Sequence, residues 1–308
     1  EMSNDFDVAV LELGMNVPGE LELISKMAQL SMAVITNIGV AHIEYFGTSE
    51  NICKEKMTIT KGLKEDGILF LNGDDPLLYE YRELTGYPYV LYGTREECEY
   101  RAVNVRMENG KYCFDFIYHG KKVPVVLSVL GMHNVINAAG ALAVADRSGV
   151  SVEDAAKALS TFTGFQNRLQ IYKIKGYTLI DDTYNASPDS MKAGITVLTG
   201  MDEPGRKIAV LGDMFELGKN APMYHYEVGE FAAKQQIDEL LLIGELAKNI
   251  GAALEDSQCA MKQTYFDSNE GIANYLNKTL NEGDVVYLKA SNGMKLKEIT
   301  AMLQKDAQ

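Results

Sequence analysis

The sequence has no tryptophan, and it is poor in cysteine and proline, with 4 and 7 residues among 308. Its cysteines are Cys53, Cys98, Cys113 and Cys259, and no CxxC pair occurs among them. This scatter argues against both a disulfide framework and a zinc site, and it favours reduced intracellular thiols. The sequence also shows no leader in which a basic segment precedes an apolar one. We therefore expect a cytoplasmic protein.

Basic residues are scarce as well, because 29 lysines and arginines face 43 acidic residues, a net charge of −14. That balance argues against a nucleic-acid or anionic-membrane surface, both of which need a basic footprint. No apolar run approaches the ~20 residues that span a bilayer. The apolar fraction of 46% and the length of 308 residues suit a soluble protein of about two domains.

The first part of the sequence alternates strand-like and helix-like patterns. Apolar runs at 7–14, 32–37 and 67–76 are typical of buried strands, and residues 16–30 form a helical pattern between the first two. Strands that alternate with helices predict a parallel α/β sheet. Glu12 would then lie near the carboxyl end of its strand, where open sheets of this class bind ligands.

The texture changes between residues 87 and 130, where short β-rich runs follow one another. Asn-Gly at 109–110 and His-Gly at 119–120 are hairpin signals. We expect a small antiparallel sheet attached to the parallel one, followed by helices at 131–149 and 151–162.

A plausible junction at 163–170 divides the chain into domains 1–166 and 167–308. Beyond it the alternation of strands and helices resumes, which predicts a second doubly wound domain. Its strands are expected at 177–182, 207–213, 239–244 and 284–291, with helices that start near Ser187, Ala221, Glu245, Asn269 and Met294.

The oddest residue lies in the stretch 36–63, where a loop carrying Asn37 and His42 leads into a helix. On that helix Lys56 falls within the apolar arc that Ile52, Ile59 and Leu63 define. Desolvation depresses the pKa of such an amine. The side chain either snorkels to solvent or pairs with an acid such as Glu55, or it is a neutral amine that reacts with carbon dioxide to give a metal-binding carbamate.

Four other candidates each leave two interpretations open. Glu12 is a structural strand-end carboxylate or a ligand, and His42 is a surface residue or a functional one. Asn134 and Asn137 either place both side chains on one face near the positive end of a helix, or Asn134 is simply the N-cap of that helix. Arg168 is a phosphate clamp or an ordinary exposed arginine.

Two further segments contain motif-like patterns. In 179–190 two aspartates end a strand, and Ser187 and Pro188 form a strong helix start. In 211–220 the pattern LGDMFELGKN is similar to a phosphate loop, but its spacing and Asn220 do not satisfy GxxxxGK[ST]. No true phosphate loop occurs in the sequence.

Taken together, these segments resemble the ATP-dependent Mur ligases of peptidoglycan synthesis. LGDMFELG and DDTYNASPDSM are most similar to the branch that adds D-alanyl-D-alanine. The segments that carry the resemblance are ELGMNVPGE (12–20), TNIGVAHIEYFG (36–47), KEKMTITKGL (54–63), LNGDD (71–75), GMHNVINA (131–138), NRLQ (167–170), IDDTYNASPDSM (180–191), VLGDMFELG (210–218) and KASNGM (289–294).

The resemblance implies a central ATPase domain, a parallel sheet with a small antiparallel extension, followed by a Rossmann-like C-terminal domain. It implies ATP and two magnesium ions as cofactors. Glu12 and His42 are similar to magnesium ligands, and Lys56 is similar to a lysine whose carbamate holds the second ion. Thr58 departs from the family pattern, which commonly has an acid there.

The resemblance also implies a nucleotide site and a closed cleft. The residues implied on the nucleotide side are Asn37, Asn134, Asn137, Arg168 and Asp182. Those implied in the cleft are Tyr184, Asn185, Lys289 and Ser291, of which Tyr184 and Asn185 are also assigned to the nucleotide. Asn292 departs from the family, in which arginine is frequent at that position.

The activity implied is ligation of D-Ala-D-Ala to UDP-N-acetylmuramoyl-tripeptide through an acyl phosphate, by a monomer. We expect the chain to be a fragment without the UDP-binding domain and the phosphate loop, and by itself inactive. The alternatives are a non-catalytic binding module and a related ligase such as folylpolyglutamate synthetase. Whether the tripeptide ends in lysine or diaminopimelate stays open.

Overall fold

Two six-stranded sheets, one in each half of the chain, organise the protein. The computed structural model describes residues 6–108 and 110–306. The strand orders are β1-β2-β3-β4-β5-β6 in the first sheet and β11-β10-β9-β12-β8-β7 in the second. The predicted α/β class, with its two sheets in succession, is confirmed.

The first sheet is parallel from β1 to β4 and antiparallel from β4 to β6. The predicted antiparallel part is therefore confirmed, as a continuation of the parallel sheet. The strands are β1 (Leu30–Ile35), β2 (Leu63–Asn72), β3 (Tyr89–Gly93), β4 (Tyr100–Glu108), β5 (Lys111–Tyr118) and β6 (Lys121–Leu127). The helices are α1 (Glu20–Ala28), α2 (Ile43–Phe46), α3 (Ser49–Met57), α4 (Pro76–Tyr81), α5 (Met132–Arg147) and α6 (Val152–Thr161).

The second sheet is parallel except for its edge strand β7, which runs antiparallel to β8. Strands β7 and β11 were not predicted from the sequence. The strands are β7 (Gln170–Ile174), β8 (Tyr177–Asp181), β9 (Lys207–Gly212), β10 (Glu239–Ile243), β11 (Lys262–Phe266) and β12 (Val285–Lys289). The helices are α7 (Pro188–Thr199), α8 (Ala221–Ala232), α9 (Lys248–Asp256), α10 (Asn269–Thr279) and α11 (Lys297–Lys305).

Each sheet buries its apolar residues against helices, and close packing fixes where small residues must stand. On α5, Gly140 faces the Tyr92 ring, and a Cβ there would lie 2.8 Å from a ring carbon. On α7, a Cβ at Gly194 would lie 1.8 Å from the Tyr287 hydroxyl oxygen. Interiors packed this densely tolerate no added methyl group without rearrangement. This close packing of helices on both sheets gives the loops at the strand ends a rigid base.

The predicted strand at 7–14 is wrong. These residues pair with no strand in the part of the chain that the structure describes, and Val10 is 91% exposed. An apolar run becomes a strand only when a neighbour accepts its backbone hydrogen bonds. Among the described residues, β1 has β2 as its single neighbour. Glu12 therefore lies in an exposed, extended segment, not at a strand end.

The helix predicted through Leu63 is also corrected. Helix α3 ends at Met57, a 3₁₀ turn covers Thr58–Gly62, and Leu63 begins β2. Gly62 passes so close to α1 that an added Cβ would lie 2.1 Å from the Ser25 carbonyl carbon. The tighter turn brings the chain into that narrow space before the strand begins.

Of the two predicted hairpin turns, the one at 119–120 is confirmed. It joins β5 to β6, with φ of 46° at His119 and 73° at Gly120. The turn at 109–110 includes Asn109, which lies outside the described residues. No helix in the described ranges is both long and apolar enough to cross a membrane.

Candidate functional site

Lys56 reaches from α3 under the loop that follows β1. The helix starts at Thr48, whose hydroxyl oxygen accepts a hydrogen bond from Asn51 N at 3.3 Å. Ile52, Cys53 and Met57 are buried against the domain core. That packing directs Lys56 inward, and its Nζ donates to the carbonyl oxygen of Asn37 at 2.7 Å.

The environment of Lys56 supports the neutral-amine interpretation. Burial lowers the pKa of the Lys56 amine, although the negative charge of Asp75 acts in the opposite direction. The alternative of pairing with Glu55 is wrong, because the Glu55 carboxylate accepts a hydrogen bond from Gly19 N at 2.8 Å. The predicted inward position is therefore confirmed, and the amine is more readily deprotonated than an exposed lysine.

The loop above Lys56 is held by residues that the sequence analysis did not single out. The Asp75 carboxylate accepts hydrogen bonds from Ile38 N at 2.7 Å and from Leu78 N at 3.0 Å, so it fixes the loop and caps α4 together. Asn72 donates through Nδ2 to the Thr36 carbonyl oxygen at 2.8 Å. The signal for both residues was their place in the polar turn that closes β2.

His42 connects the two domains. Its Nδ1 lies 2.7 Å from Oε2 of Glu216, which belongs to the loop after β9. Sequence reasoning missed Glu216, since nothing local indicates a partner so distant in the chain. The contact closes one side of an interdomain cleft of ≈ 240 Å³. The lining includes Ala41, His42, Tyr184, Asn185, Phe215, Glu216, Ser291 and Asn292.

A buried ion pair in the second domain, Asp182 with Lys289, holds the loop that carries Asn185. Asp182 Oδ2 accepts hydrogen bonds from Lys289 Nζ at 2.6 Å and from the Tyr287 hydroxyl at 3.0 Å. Lys289 Nζ also donates to the carbonyl oxygen of Asn185 at 2.9 Å. Burial lowers the pKa of Lys289, while the adjacent Asp182 carboxylate opposes that shift.

Lys289 is only 3% exposed and does not line the cleft. The charge of Lys289 is balanced by the adjacent Asp182 carboxylate. Tyr184, Asn185 and Ser291 line the cleft. Arg168 lies over the Tyr184 ring, with 4.2 Å between its guanidinium carbon and the ring centroid. The exposed arginine is therefore oriented by a cation–π contact.

In the loop that carries Glu216, two backbone N–H groups donate to side chains of the same domain. Met214 N donates to Nε2 of His225 at 2.8 Å, and Phe215 N donates to Ser291 Oγ at 2.8 Å. His225 is fully buried, and its Nδ1–H donates to the Ala221 carbonyl oxygen at 2.7 Å. Burial lowers the pKa of His225. Since these N–H groups are not free for phosphate, the segment is no phosphate loop, as its spacing predicted.

Asn134 is not the N-cap of α5. That position belongs to Gly131, with φ of 100°, and Asn134 lies inside the first turn. Its Nδ2 donates to the Leu130 carbonyl oxygen at 2.6 Å. An N-cap side chain must accept from a backbone N–H, which a donating amide does not do. Asn137 lies one turn further and is exposed.

The side chains implied as metal ligands are a carboxylate, an imidazole and a lysine that could form a carbamate, which are types that bind divalent cations. Within the described ranges no cluster of three His, Cys, Asp or Glu side chains could form a closed metal site. Magnesium does not need one, because it commonly takes one or two protein carboxylates and completes its shell with phosphate oxygens and water. Lys56 has the lowered pKa that carbamate formation favours. His42 offers Nε2, since its Nδ1 faces Glu216.

Comparison with known families decides the lineage. Residues 1–145 match the family described as Mur ligase middle domain, and residues 167–292 match the Mur ligase, glutamate ligase domain. The chain belongs to the Mur ligase family. The two matched domains correspond to the two six-stranded sheets of the structure.

Two curated relatives carry the name UDP-N-acetylmuramoyl-tripeptide--D-alanyl-D-alanine ligase. The Bacillus subtilis protein is 36% identical over 303 residues, which covers 97% of this chain and 64% of that relative. The Escherichia coli protein is 28% identical and covers 99% and 67%, respectively. The chain thus spans about two thirds of the length of these relatives.

Two solved structures make the same comparison in three dimensions. MurF from Acinetobacter baumannii superposes with a TM-score of 0.89 at 28% identity, over 99% of this chain and 66% of that one. MurF ligase from Thermotoga maritima, solved in complex with ADP, gives 0.83 at 30% identity, over 95% and 66%. The fold and the relative position of the two domains are therefore shared with MurF enzymes.

Proposed function

We propose that this chain forms the ATP and acceptor sides of a ligase that joins D-alanyl-D-alanine to UDP-N-acetylmuramoyl-tripeptide. The observation that carries the proposal is the cleft in which polar side chains of both domains meet. The names of the Bacillus subtilis and Escherichia coli relatives support the substrates. The ADP complex of the Thermotoga maritima structure supports the nucleotide.

The reaction requires activation of a carboxylate, which is a poor acyl donor. Transfer of the ATP γ-phosphoryl group to it gives an acyl phosphate, and attack by the acceptor amine then gives the amide and phosphate. When bound, magnesium would neutralise negative charge on the phosphates during this transfer. The chain's own task is to position both substrates and to exclude water, which hydrolyses acyl phosphates.

The metal side of the site consists of Glu12, His42 and Lys56, the last as a carbamate. Two observations support this assignment: the lowered pKa of the Lys56 amine and the contact of His42 with Glu216 through Nδ1, which leaves Nε2 as the other ring nitrogen. Glu12 is exposed, so its carboxylate is accessible to a cation.

On the nucleotide side we propose direct contacts for the exposed groups and a supporting role for the buried one. Arg168, oriented by Tyr184, offers a cation to phosphate. Asp182 is occupied by Lys289 and therefore fixes the loop that carries Tyr184 and Asn185. The remaining nucleotide contacts are assigned to Asn37, Asn134 and Asn137.

On the acceptor side we propose that Tyr184, Asn185 and Ser291 line the space for the dipeptide. The four cysteines are free thiols in the structure, which agrees with a cytoplasmic enzyme. We further propose that the protein acts as a monomer.

Phosphate release tests the proposal. The chain is joined to the part of the Bacillus subtilis relative that it does not match, and ATP, magnesium and UDP-N-acetylmuramoyl-tripeptide are supplied. We expect release with D-Ala-D-Ala and none with L-glutamate, the acceptor of a folylpolyglutamate-type ligase. The 308-residue chain alone serves as the comparison, and we expect no turnover from it. A joined protein that binds ATP but never releases phosphate would indicate a binding module instead.

A further inference from the structure

The contact between Glu216 and His42 fixes more than the width of the cleft. A carboxylate accepts hydrogen bonds and donates none when ionised. The ring nitrogen that faces it, Nδ1 at 2.7 Å, must therefore carry the hydrogen. In the neutral imidazole the lone pair then resides on Nε2, the nitrogen that a metal ion can use.

Both residues of this contact occupy unusual backbone conformations. His42 has φ of 60° and Glu216 has φ of 62°, in the left-handed region that non-glycine residues rarely adopt. Strain of this kind persists where the surroundings impose it, and it concentrates at functional sites. A surface ion pair does not require it, since flexible side chains in relaxed backbones form such pairs readily.

Glu216 is constrained on one side by hydrogen bonds within its own domain and on the other side by close approach to the first domain. Met214 N and Phe215 N, the two preceding donors, are bound by His225 and Ser291. After Glu216, Gly218 runs against the first domain, where an added Cβ would lie 3.3 Å from Cα of Glu44. The loop is thus held by its own domain and seated beside the segment that carries His42.

We propose that Glu216 is a positioning residue that holds His42 in the Nδ1–H tautomer and aims its Nε2 at the cation. The proposal rests on the metal role of His42 in the proposed function. Ligand histidines in metal sites typically donate their second N–H to a carboxylate, which fixes the ring and raises its basicity. Here the carboxylate comes from the other domain, so cation binding at His42 and closure of the cleft assist each other.

The tautomer is the first test, and it needs neither metal nor activity. Nitrogen-15 NMR of the imidazole distinguishes a protonated Nδ1 from a protonated Nε2. We expect a protonated Nδ1 on His42 in the wild type and a shift toward protonated Nε2 in Glu216→Ala. Glu245→Ala is the matched control, because Glu245 is exposed, lies in the same domain and pairs with Lys248. An unchanged His42 spectrum in Glu216→Ala overturns the proposal.

Binding of Mn²⁺, followed by electron paramagnetic resonance, is the second test. We expect Glu216→Ala to weaken Mn²⁺ binding at least about 10-fold, the usual effect of removing such a carboxylate. Glu216→Asp keeps the charge but is too short for the contact, so we expect it to resemble Glu216→Ala. Wild-type affinity in either variant, or Mn²⁺ binding that His42→Asn leaves unchanged, overturns the proposal. Failure of the phosphate-release assay with both of these effects intact contradicts only the proposed ligase activity.

Discussion

The two domains that border the cleft, called its first and second walls, hold their polar groups in opposite conditions. In the first domain, Lys56 donates to a single carbonyl oxygen and Glu12 is exposed. In the second domain, Asp182 and Lys289 are buried and bonded to each other and to further groups. Lys56 and Glu12 of the first wall remain accessible to a ligand, whereas Asp182 and Lys289 of the second wall hold a loop in place. Lysine therefore has a different role in each domain: Lys56 is accessible, whereas Lys289 is part of a buried ion pair.

The largest expected effect comes from removing the lysine of the second wall. Lys289→Met leaves the Asp182 carboxylate buried without its counterion, and breaking a buried pair in this way typically costs about 3–5 kcal/mol of folding free energy. Hydrogen exchange of the β8 and β12 amides measures the loss within the second domain. Lys248→Met, at an exposed pair, is the control, and we expect it to change stability by at most ~0.5 kcal/mol. Equal effects of the two variants would contradict the comparison.

The next effect concerns the buried histidine behind the Glu216 loop, and it depends on pH. Burial holds the folded-state pKa of His225 below its ordinary value, which is about 6.5 in the unfolded chain. Between these two pKa values the unfolded chain binds a proton that the folded one does not. The stability that neutral His225 contributes is therefore complete above about pH 6.5 and is lost as the pH falls toward the lower folded-state pKa.

His225→Gln tests this point. At neutral pH we expect it to cost about 1–2 kcal/mol, since the hydrogen bonds to Met214 N and Ala221 O are weakened. We also expect urea unfolding of the variant to lose part of the wild-type decline in stability between about pH 7 and pH 5. The same decline in both proteins would show that His225 does not titrate with folding.

A smaller effect is expected at the start of α3, the helix that carries Lys56. Thr48→Ala removes the oxygen that accepts from Asn51 N, and loss of such a cap costs about 1 kcal/mol. Thermal unfolding measures it, with Thr48→Ser as the control that keeps the hydroxyl. If alanine and serine behave alike, the cap contributes nothing here.

Local patterns predicted most strands and helices of both domains, because hydrophobic periodicity and helix caps depend only on residues that are close in sequence. The failures at 7–14 and at Leu63 have a different origin. Whether an apolar run pairs, and where a helix tightens, depends on partners far away in the chain, such as β2 or Ser25. Within the site, Lys56 was predictable from its helical arc. Glu216 was not, since its role comes from a contact between two domains.

The smallest effect on stability is expected at the lysine of the first wall, and it sharpens the comparison most. Lys56→Met removes an amine that is costly to keep charged in its half-buried position, so we expect stability to change by at most ~1 kcal/mol. The same variant should lose the ability to form a carbamate.

A lowered pKa leaves more of the Lys56 amine neutral, and the neutral amine is the form that reacts with carbon dioxide. In ¹³C-bicarbonate we expect a carbamate signal from the wild type and from Lys54→Met, whose lysine is exposed, but not from Lys56→Met. Absence of the signal in the wild type, or its survival in Lys56→Met, would contradict the carbamate. A lysine with little effect on folding and a large effect on this reaction would then distinguish the first wall from the supporting second wall.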